Sequence, residues 1–436
     1  MIKSNTTWVF IFQFLKILNG LIPVLLIPLY LSHEDQGLWF LMLSFGSIVL
    51  LFSAAQNGIV LIFGAHEFKN LLIEKLTIIG HIKDKNSLLA FTRYSKKFFI
   101  IFLTCLSLAV FLFFSFYIQH NTPLLIHTDL IMIFGMYLLG IFLFTLNFSF
   151  LSYLESFNQV LFAYQAKSFL MFVVICLTCL LLYFNYGLYA LSYSIFISML
   201  IAFCILCIKF RTIIVGSFKT KAIFNKHKQK IFVNYFQKNT FSMVSGFLLF
   251  QVYTPIVYYF KGSVIAGKVG LSIAILSALF AVSIAPLNAK MASIIRMIAA
   301  KKYQESYILY FKVSQLALII FLFLGSLGAF LLFKIDIFYI YKERVVDFFS
   351  FMLLWLAWLF QVIVYIFVTY IRCFKRELFI IPTVISAFYI LITTIITLHY
   401  DLVDYIFVGF LSSYVFGLPW IYVIYRKFLA SKGALK

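Results

Sequence analysis

The first apolar stretch of the chain, residues 8–31, contains side chains that could bind a polar ligand inside a membrane. They are Lys16, Gln13 and Asn19. In a helix, Gln13, Lys16 and Gly20 follow the three- and four-residue spacing of one face, and Asn19 lies beside it. A lysine in lipid costs at least ~2.5 kcal/mol on insertion scales, so a lipid-facing position is unfavourable. We therefore expect this helix to line a polar cavity, where an ammonium group and two amides can contact a ligand.

The composition indicates what kind of protein surrounds these side chains. The chain has 436 residues, of which 64% are hydrophobic and 11% charged, and its mean hydropathy is +1.05. Apolar runs of about 20 residues follow one another along almost the whole chain, which is typical of helical membrane proteins and unlike the alternating segments of a β-barrel. We predict an all-α integral membrane protein of about 12 transmembrane helices. Their approximate limits are 8–31, 38–64, 98–118, 130–153, 168–187, 189–208, 240–260, 269–288, 313–333, 348–370, 378–398 and 404–424.

The positive charge is distributed very unevenly. If the N-terminus is cytoplasmic, 28 of the 35 lysine and arginine residues fall in cytoplasmic segments and 5 in outside loops. The positive-inside rule therefore places both termini in the cytoplasm. This bias and the attraction to anionic lipids account for the net charge of +21 without a nucleic-acid partner. The basic segments 65–97 and 209–239 are expected to form short amphipathic helices along the membrane surface.

An internal repeat divides the chain. The sequence GLWFLMLS from Gly37 resembles GLSIAILS from Gly270, 233 residues later, and Pro23 corresponds to Pro255 at nearly the same offset. These matches predict two six-helix halves. Because six is even, both halves have the same orientation, which predicts two lobes related by a pseudo-twofold axis along the membrane normal. The predicted divisions are an N-terminal lobe, a basic cytoplasmic linker and a C-terminal lobe with a basic tail, at 1–208, 209–239 and 240–436.

Most of the deep polar side chains lie on the first two helices of each half, where repeat-built transporters hold a central site. The candidate cavity residues, two of them on the tenth span, are Lys16, Gln13, Asn19, Gln56, Asn57, Gln251, Asn288, Lys290, Trp358 and Gln361. Several have a second interpretation. Hydrogen bonds between helices explain the amides near the membrane faces equally well. Lys290 fits an interfacial anchor, and Trp358 fits ordinary packing in a chain that is 20% aromatic.

The remaining reactive residue types form no catalytic pattern. The sequence has no HExxH, GxxxxGK[ST] or GxSxG motif, so we expect neither an enzyme nor a nucleotide-driven pump. The pairs CLTC at Cys176 and CILC at Cys204 lie inside predicted helices without histidine or carboxylate nearby, so we expect no metal or other cofactor. No carboxylate falls near the middle of a predicted span, which disfavours an exporter that carries its coupling ion on an intramembrane acid.

Two stretches carry a resemblance to a known family. They are NGLIPVLLIPLYLSHEDQGLWFLMLS, from Asn19 to Ser44, and GKVGLSIAILSALFAVSIAPL, from Gly267. They resemble the bacterial O-antigen or capsule polysaccharide-unit flippases of the multidrug/oligosaccharidyl-lipid/polysaccharide exporter superfamily. The resemblance implies a V-shaped pair of six-helix lobes that alternates access and moves an undecaprenyl-diphosphate-linked oligosaccharide from the inner to the outer leaflet of the bacterial inner membrane. Among the residues of this sequence, it implies Lys16 as the cation that meets the diphosphate or acidic sugars.

Two other functions remain open at this point. One is a cation-coupled multidrug exporter of the same superfamily. The other is a membrane-embedded polysaccharide polymerase or ligase, although such enzymes usually have a large outside loop, which this chain lacks. The expected partners are the lipid-linked oligosaccharide, membrane lipids and polysaccharide polymerase machinery, and the chain is expected to be a monomer.

Overall fold

The computed structural model describes residues 2–68, 71–74, 77–121, 124–211, 223–374, 376 and 378–432. The described chain is almost entirely helical. The helices are α1 (Ile2–Tyr30), α2 (His33–Phe68), α3 (Ile82–Asn121), α4 (Leu124–Ser156), α5 (Val160–Tyr183), α6 (Tyr189–Lys209), α7 (Lys226–Phe250), α8 (Tyr253–Ser283), α9 (Ala285–Ala299), α10 (Tyr303–Lys334), α11 (Tyr339–Arg344), α12 (Phe348–Arg372), α13 (Ile380–His399) and α14 (Val408–Lys432). Strands β1 (Leu72–Glu74) and β2 (Thr77–Ile79) form a small antiparallel hairpin between α2 and α3.

Eleven helices among the described residues are long and apolar enough to cross a membrane. The expected span 240–260 is divided, because the helix is interrupted at Gln251 between α7 and α8. Within α8, Gly262 has φ 79° and ψ −176°, a conformation essentially restricted to glycine, and it separates two helical segments. This break falls in the outside connection predicted between the seventh and eighth spans. An all-α integral membrane fold with about 12 spans is therefore confirmed.

The chain forms two compact units. Unit 1 consists of Met1–Pro23 and Met42–Val244, and unit 2 consists of Val24–Leu41 and Ser245–Lys436. The end of α1 and the beginning of α2 thus belong to the same unit as the second half of the chain. The division expected from the repeat assigned them to the N-terminal lobe, and those lobe boundaries stay a prediction.

Unit 1 has one core among α4, α5 and α6. Its buried side chains include Phe148, Leu151 and Met171. Phe12 and Leu15 of α1 pack against this core and so fix which face of α1 the unit covers. Buried side chains of different helices interdigitate here, and dispersion between them contributes to the packing of membrane helices that have no hydrophobic driving force in lipid.

The first half of α7 is part of a second core in unit 1. Phe232 and Phe236 are buried there against Phe91 and Phe99 of α3, and the Lys228 ammonium forms an ion pair with the Glu67 carboxylate at the end of α2. The expectation of separate surface helices in the basic segments is therefore wrong. Residues 82–97 are the first turns of α3, and residues 226–239 are the first turns of α7, because buried phenylalanines hold both against the bundle. Residues 212–222 lie outside the described residues.

In unit 2, the beginning of α2 crosses α8 at two glycines. A Cβ at Gly37 would overlap the backbone of Ser263, and one at Gly267 would lie 2.8 Å from the Gly37 nitrogen. Small residues let membrane helices approach this closely. The side-chain amide of Gln36 then donates to the carbonyl oxygen of Gly267 at 2.9 Å, so the crossing is fixed by a buried hydrogen bond as well as by shape.

Helix α11 holds the same segment from another side. The Arg344 guanidinium donates to the Leu31 carbonyl at 2.7 Å, and the Tyr341 hydroxyl donates to the Leu25 carbonyl at 2.9 Å. Burial lowers the pKa of Arg344 and raises the pKa of Tyr341. The first of these bonds gives a charged donor to the Leu31 carbonyl just past the end of α1, and the second adds a donor to a carbonyl in the last turns of the helix.

Candidate functional site

Helix α1 presents its polar residues on a face that is not covered by unit 1. Lys16 and Gln13 are exposed and Asn19 is half-buried, whereas Phe12 and Leu15 pack into the core. Lys16 lies within the candidate span Thr7–Tyr30. Lipid would be a poor solvent for an ammonium at such a position.

The two amides at the end of the second span have different surroundings. Gln56 of α2 is buried, and its side-chain nitrogen donates to the Ser149 hydroxyl of α4 at 2.8 Å. This is the hydrogen bond between helices that we gave as the alternative to a ligand contact. Asn57 is half-buried, and its Oδ1 is a buried acceptor with no partner among the described residues.

Trp358 of α12 lies in the packed interior of unit 2, whereas Gln361 on the same helix is half-buried. Trp358 is 4% exposed, and its ring lies 5.2 Å from Phe250 and 5.4 Å from Phe280 between ring centroids. Gln361 accepts a hydrogen bond from the Tyr414 hydroxyl at 2.8 Å. In this conformation a sugar could reach the Trp358 ring only after a rearrangement, whereas Gln361 keeps part of its surface exposed.

The other candidates of unit 2 lie near helix ends. Gln251 is half-buried at the interruption between α7 and α8. Asn288 and Lys290 of α9 are exposed, and the Asn288 Oδ1 accepts from the Tyr365 hydroxyl at 3.1 Å. The structure therefore joins Asn288 to α12 and leaves the Lys290 side chain at the surface of the unit.

Unit 1 contains a cavity of about 170 Å³ that no residue pattern in the sequence predicted. Gln56 is the one predicted site residue on its wall, which also carries Lys96 and Asn147. Lys96 was counted only as a cytoplasmic lysine, and Asn147 was one polar residue within an apolar span. Neither has a spacing that predicts a site, since the cavity forms from four helices that are distant in sequence.

A buried ion pair in unit 1 was also missed. Lys167 of α5 contacts Glu155 of α4 at 2.7 Å, and the two side chains are 8% and 13% exposed. The Lys167 ammonium lies 4.9 Å from the centroid of the Tyr164 ring. Both charged residues were assigned to a cytoplasmic loop, where a lysine and an acid twelve positions apart give no pairing signal.

Solved structures with the same fold extend over nearly the whole chain. The lipid II flippase MurJ in an inward closed conformation matches with a TM-score of 0.68 and 13% identity, covering 97% of this chain and 87% of that chain. An inward-facing multidrug resistance MATE family transporter of the MOP superfamily matches with a TM-score of 0.59 and 12% identity over 93% of this chain and 98% of that chain.

A third similar structure is a MOP superfamily transporter from Pyrococcus furiosus, with a TM-score of 0.54 and 12% identity over 98% of this chain and 95% of that chain. No protein-family profile matches the sequence, and no curated protein matches it by sequence. The chain therefore has the fold that the lipid II flippase MurJ shares with MATE transporters of the MOP superfamily.

Proposed function

We propose that this protein is a flippase that moves an undecaprenyl-diphosphate-linked oligosaccharide from the inner to the outer leaflet of the bacterial inner membrane. The observation that carries the proposal is the exposed Lys16 within a candidate membrane span, on a face that also exposes Gln13. The similarity to a structure described as a lipid II flippase supports a lipid-linked substrate. We expect the chain to be a monomer with both termini in the cytoplasm. Its expected partner is the polysaccharide polymerase machinery.

The chemistry of the substrate explains the need for these groups. A diphosphate that crosses the hydrocarbon layer loses its hydration, and charge-assisted hydrogen bonds from a fixed ammonium replace part of it. Lys16 would contact the diphosphate, and Asn19 and Gln13 would donate to sugar hydroxyls. The polyprenyl tail can stay in lipid throughout. Transport then requires a population shift between inward- and outward-open states, with no bond made or broken in the substrate.

Replacing Lys16 tests this assignment. We expect Lys16→Ala to reduce flipping about tenfold or more, because a charge-assisted hydrogen bond contributes about 1.5–3 kcal/mol, and Lys16→Arg to retain most activity. Surface polysaccharide and the lipid-linked unit that accumulates in the inner leaflet are measured in a deletion strain that expresses each variant at equal levels.

Lys312→Ala is the matched control. Lys312 is also an exposed lysine within a candidate span, but it was not assigned to the cavity. Normal surface polysaccharide with Lys16→Ala would contradict the assignment. A loss of equal size with both variants would show that the effect is not specific to the α1 face.

The MATE similarity keeps a multidrug exporter as the second candidate. The two functions differ in what accumulates when the gene is deleted. A flippase deletion leaves the lipid-linked oligosaccharide in the inner leaflet and drug sensitivity unchanged, whereas an exporter deletion raises drug sensitivity and leaves surface polysaccharide intact.

A further inference from the structure

An open pocket of about 300 Å³ lies in unit 1, between the end of α2 and the first turns of α7. Its lining residues are Ile62, Phe63, Glu67, Lys228 and Ile231. The candidate span His33–Ala65 ends just before Glu67, and the positive-inside rule predicts that this end of the span faces the cytoplasm. The pocket therefore lies where the acyl chains of the inner leaflet meet their headgroups.

The pocket is charged at one end and apolar at the other. Along α2, Ile62 and Phe63 precede Glu67 by about one turn. Along α7, Ile231 follows Lys228 by about one turn. In the predicted topology α2 runs towards the cytoplasm and α7 away from it, so both helices place the charged residue at the cytoplasmic end and the apolar residues deeper. A phospholipid has its groups in the same order.

The two charges on the wall compensate each other. The Glu67 carboxylate pairs with the Lys228 ammonium and accepts from the Ser87 hydroxyl at 2.5 Å. The wall is therefore close to neutral and does not require an anion. An ammonium has three donor hydrogens, and a carboxylate has about four acceptor positions, so both groups can make further hydrogen bonds. The complement of such a wall is a dipolar group that carries a negative and a positive charge side by side.

The apolar lining residues show how a lipid would enter. Ile62 and Ile231 line the pocket and are 44% and 48% exposed. A chain that leaves the pocket along these two side chains passes directly into the hydrocarbon layer. The volume of about 300 Å³ corresponds to roughly ten liquid waters at about 30 Å³ each. This is room for a small headgroup and the first part of its chains, but not for a whole lipid.

We propose that this pocket binds the headgroup of a zwitterionic phospholipid with a primary amine, such as phosphatidylethanolamine. The lipid phosphate accepts from the Lys228 ammonium, and the lipid ammonium donates to the Glu67 carboxylate, so each headgroup charge meets an opposite one. A choline headgroup has no N–H to donate to Glu67. A glycerol headgroup has no cation to place beside it. The site is separate from Lys16 and does not depend on the flippase assignment.

The first test compares lipids with the same acyl chains on the purified full-length protein by native mass spectrometry. Wild type is expected to bind one phosphatidylethanolamine about tenfold more tightly than phosphatidylcholine, because one charge-assisted hydrogen bond distinguishes the two headgroups. Phosphatidylglycerol should also bind more weakly than phosphatidylethanolamine. Equal affinity of wild type for phosphatidylethanolamine and phosphatidylcholine would overturn the proposal.

The second test changes the charge of the wall. Glu67→Gln removes the carboxylate and leaves Lys228 uncompensated, so this variant should bind phosphatidylethanolamine no better than phosphatidylcholine and should bind phosphatidylglycerol about fivefold more tightly than wild type does. Glu305→Gln is the matched control, because Glu305 is an exposed carboxylate of unit 2 that does not line the pocket, and it should keep the wild-type preference. If Glu67→Gln keeps that preference, the ammonium contact is wrong and the proposal is overturned.

The third test blocks the pocket and leaves the ion pair intact. Ile231→Trp places a larger side chain in the pocket, so the preference for phosphatidylethanolamine should be lost. The unfolding midpoint without added lipid should stay close to that of wild type, because Ile231 is about half exposed. Asn234→Trp is the matched control, since Asn234 is exposed on the same helix and does not line the pocket. A tenfold preference in Ile231→Trp would place the lipid elsewhere on the protein and overturn the proposal.

A soluble ligand is distinguished in the same measurement. Free phosphoethanolamine carries the same two charges without acyl chains. If it displaces the bound lipid at equal concentration, the site is for a soluble ligand and the lipid assignment is overturned. Lys16→Ala should keep the lipid preference whatever its effect on flipping, so failure of one assignment leaves the other testable.

Discussion

The ion pair between Lys167 and Glu155 shows what a single charged residue contributes inside unit 1. Because both side chains are less than one-sixth exposed, removal of one partner leaves a buried charge. We expect Lys167→Met to lower the free energy of unfolding by about 3–5 kcal/mol. The double variant Lys167→Met with Glu155→Gln should lose much less, since no uncompensated carboxylate remains. Thermal unfolding of the purified protein in detergent measures both.

The matched control is the pair formed by Lys302 and Glu305, whose side chains are 57% and 59% exposed. An exposed ion pair contributes about 0–1 kcal/mol, so Lys302→Met should change the unfolding midpoint little. A similar change for both pairs would mean that the Lys167 ammonium is hydrated in solution and that its burial in the folded chain is incomplete.

An ionised residue within an apolar span has few favourable positions, which is why Lys16 was expected to line a cavity. Gln13, Lys16 and Gly20 are all exposed on α1, but so are Phe10 and Phe14, and the cavity position of Lys16 stays a prediction. Trp358 had no such constraint. Its type fits both a sugar surface and a core, and only the neighbouring rings of Phe250 and Phe280 place it in the interior.

At the scale of elements, the crossing of α2 and α8 predicts a strong effect of one methyl group. Gly37→Ala places a Cβ against the backbone of Ser263, and backbone cannot move aside as a flexible side chain can. We expect a loss of about 1–3 kcal/mol in the free energy of unfolding. Thermal unfolding in detergent measures it.

Gly58→Ala is the control for helix propensity. Gly58 lies in the same helix with no atom within 4 Å of the Cβ position, so alanine should be neutral or stabilise the protein by about 0.4–1 kcal/mol. If Gly37→Ala behaved like Gly58→Ala, the two helices would have to cross at a larger distance than the structure shows.

The docking of α7 gives a second prediction for an element. Phe232 is completely buried among aromatic residues of α3, so Phe232→Ala should cost about 3–5 kcal/mol. Ile231, its neighbour in sequence, is 48% exposed, and Ile231→Ala should cost little. Limited proteolysis near the start of α7 measures whether the helix is released. Equal protection of the two variants would argue against this docked position.

Helix positions could be predicted from the sequence, because a run of about 20 apolar residues has few alternatives to a membrane helix. The ends were harder to predict. Charged residues at 82–97 and 226–239 made these segments look like surface helices, although the first also contains Phe91 and the second Phe232 and Phe236. Burial of Phe91, Phe99 and Phe232 in one cluster decided the outcome, and such contacts between distant segments are not visible in a single stretch of sequence.

At the scale of the whole molecule, the repeat and the contacts divide the chain differently. The offset of 233 residues between Gly37 and Gly270 relates two halves of similar length, whereas packing assigns Val24–Leu41 to unit 2. Both glycines of the repeat lie where another residue comes too close for a Cβ. Gly37 approaches the backbone of Ser263, and a Cβ at Gly270 would lie 2.5 Å from Phe40. The corresponding motifs of the two halves thus pack against each other within unit 2.

The orientation of the whole chain is tested by its loops. With 28 lysines and arginines on one side and 5 on the other, we expect both termini in the cytoplasm, because the positive-inside bias determines topology. A green fluorescent protein fused after residue 436 should fluoresce, and alkaline phosphatase inserted in the 119–129 connection should be active. Each reporter works on one side of the membrane only, so both are placed at both positions. A misfolded fusion silences them everywhere, whereas an inverted chain gives active alkaline phosphatase after residue 436 and fluorescence from the 119–129 connection.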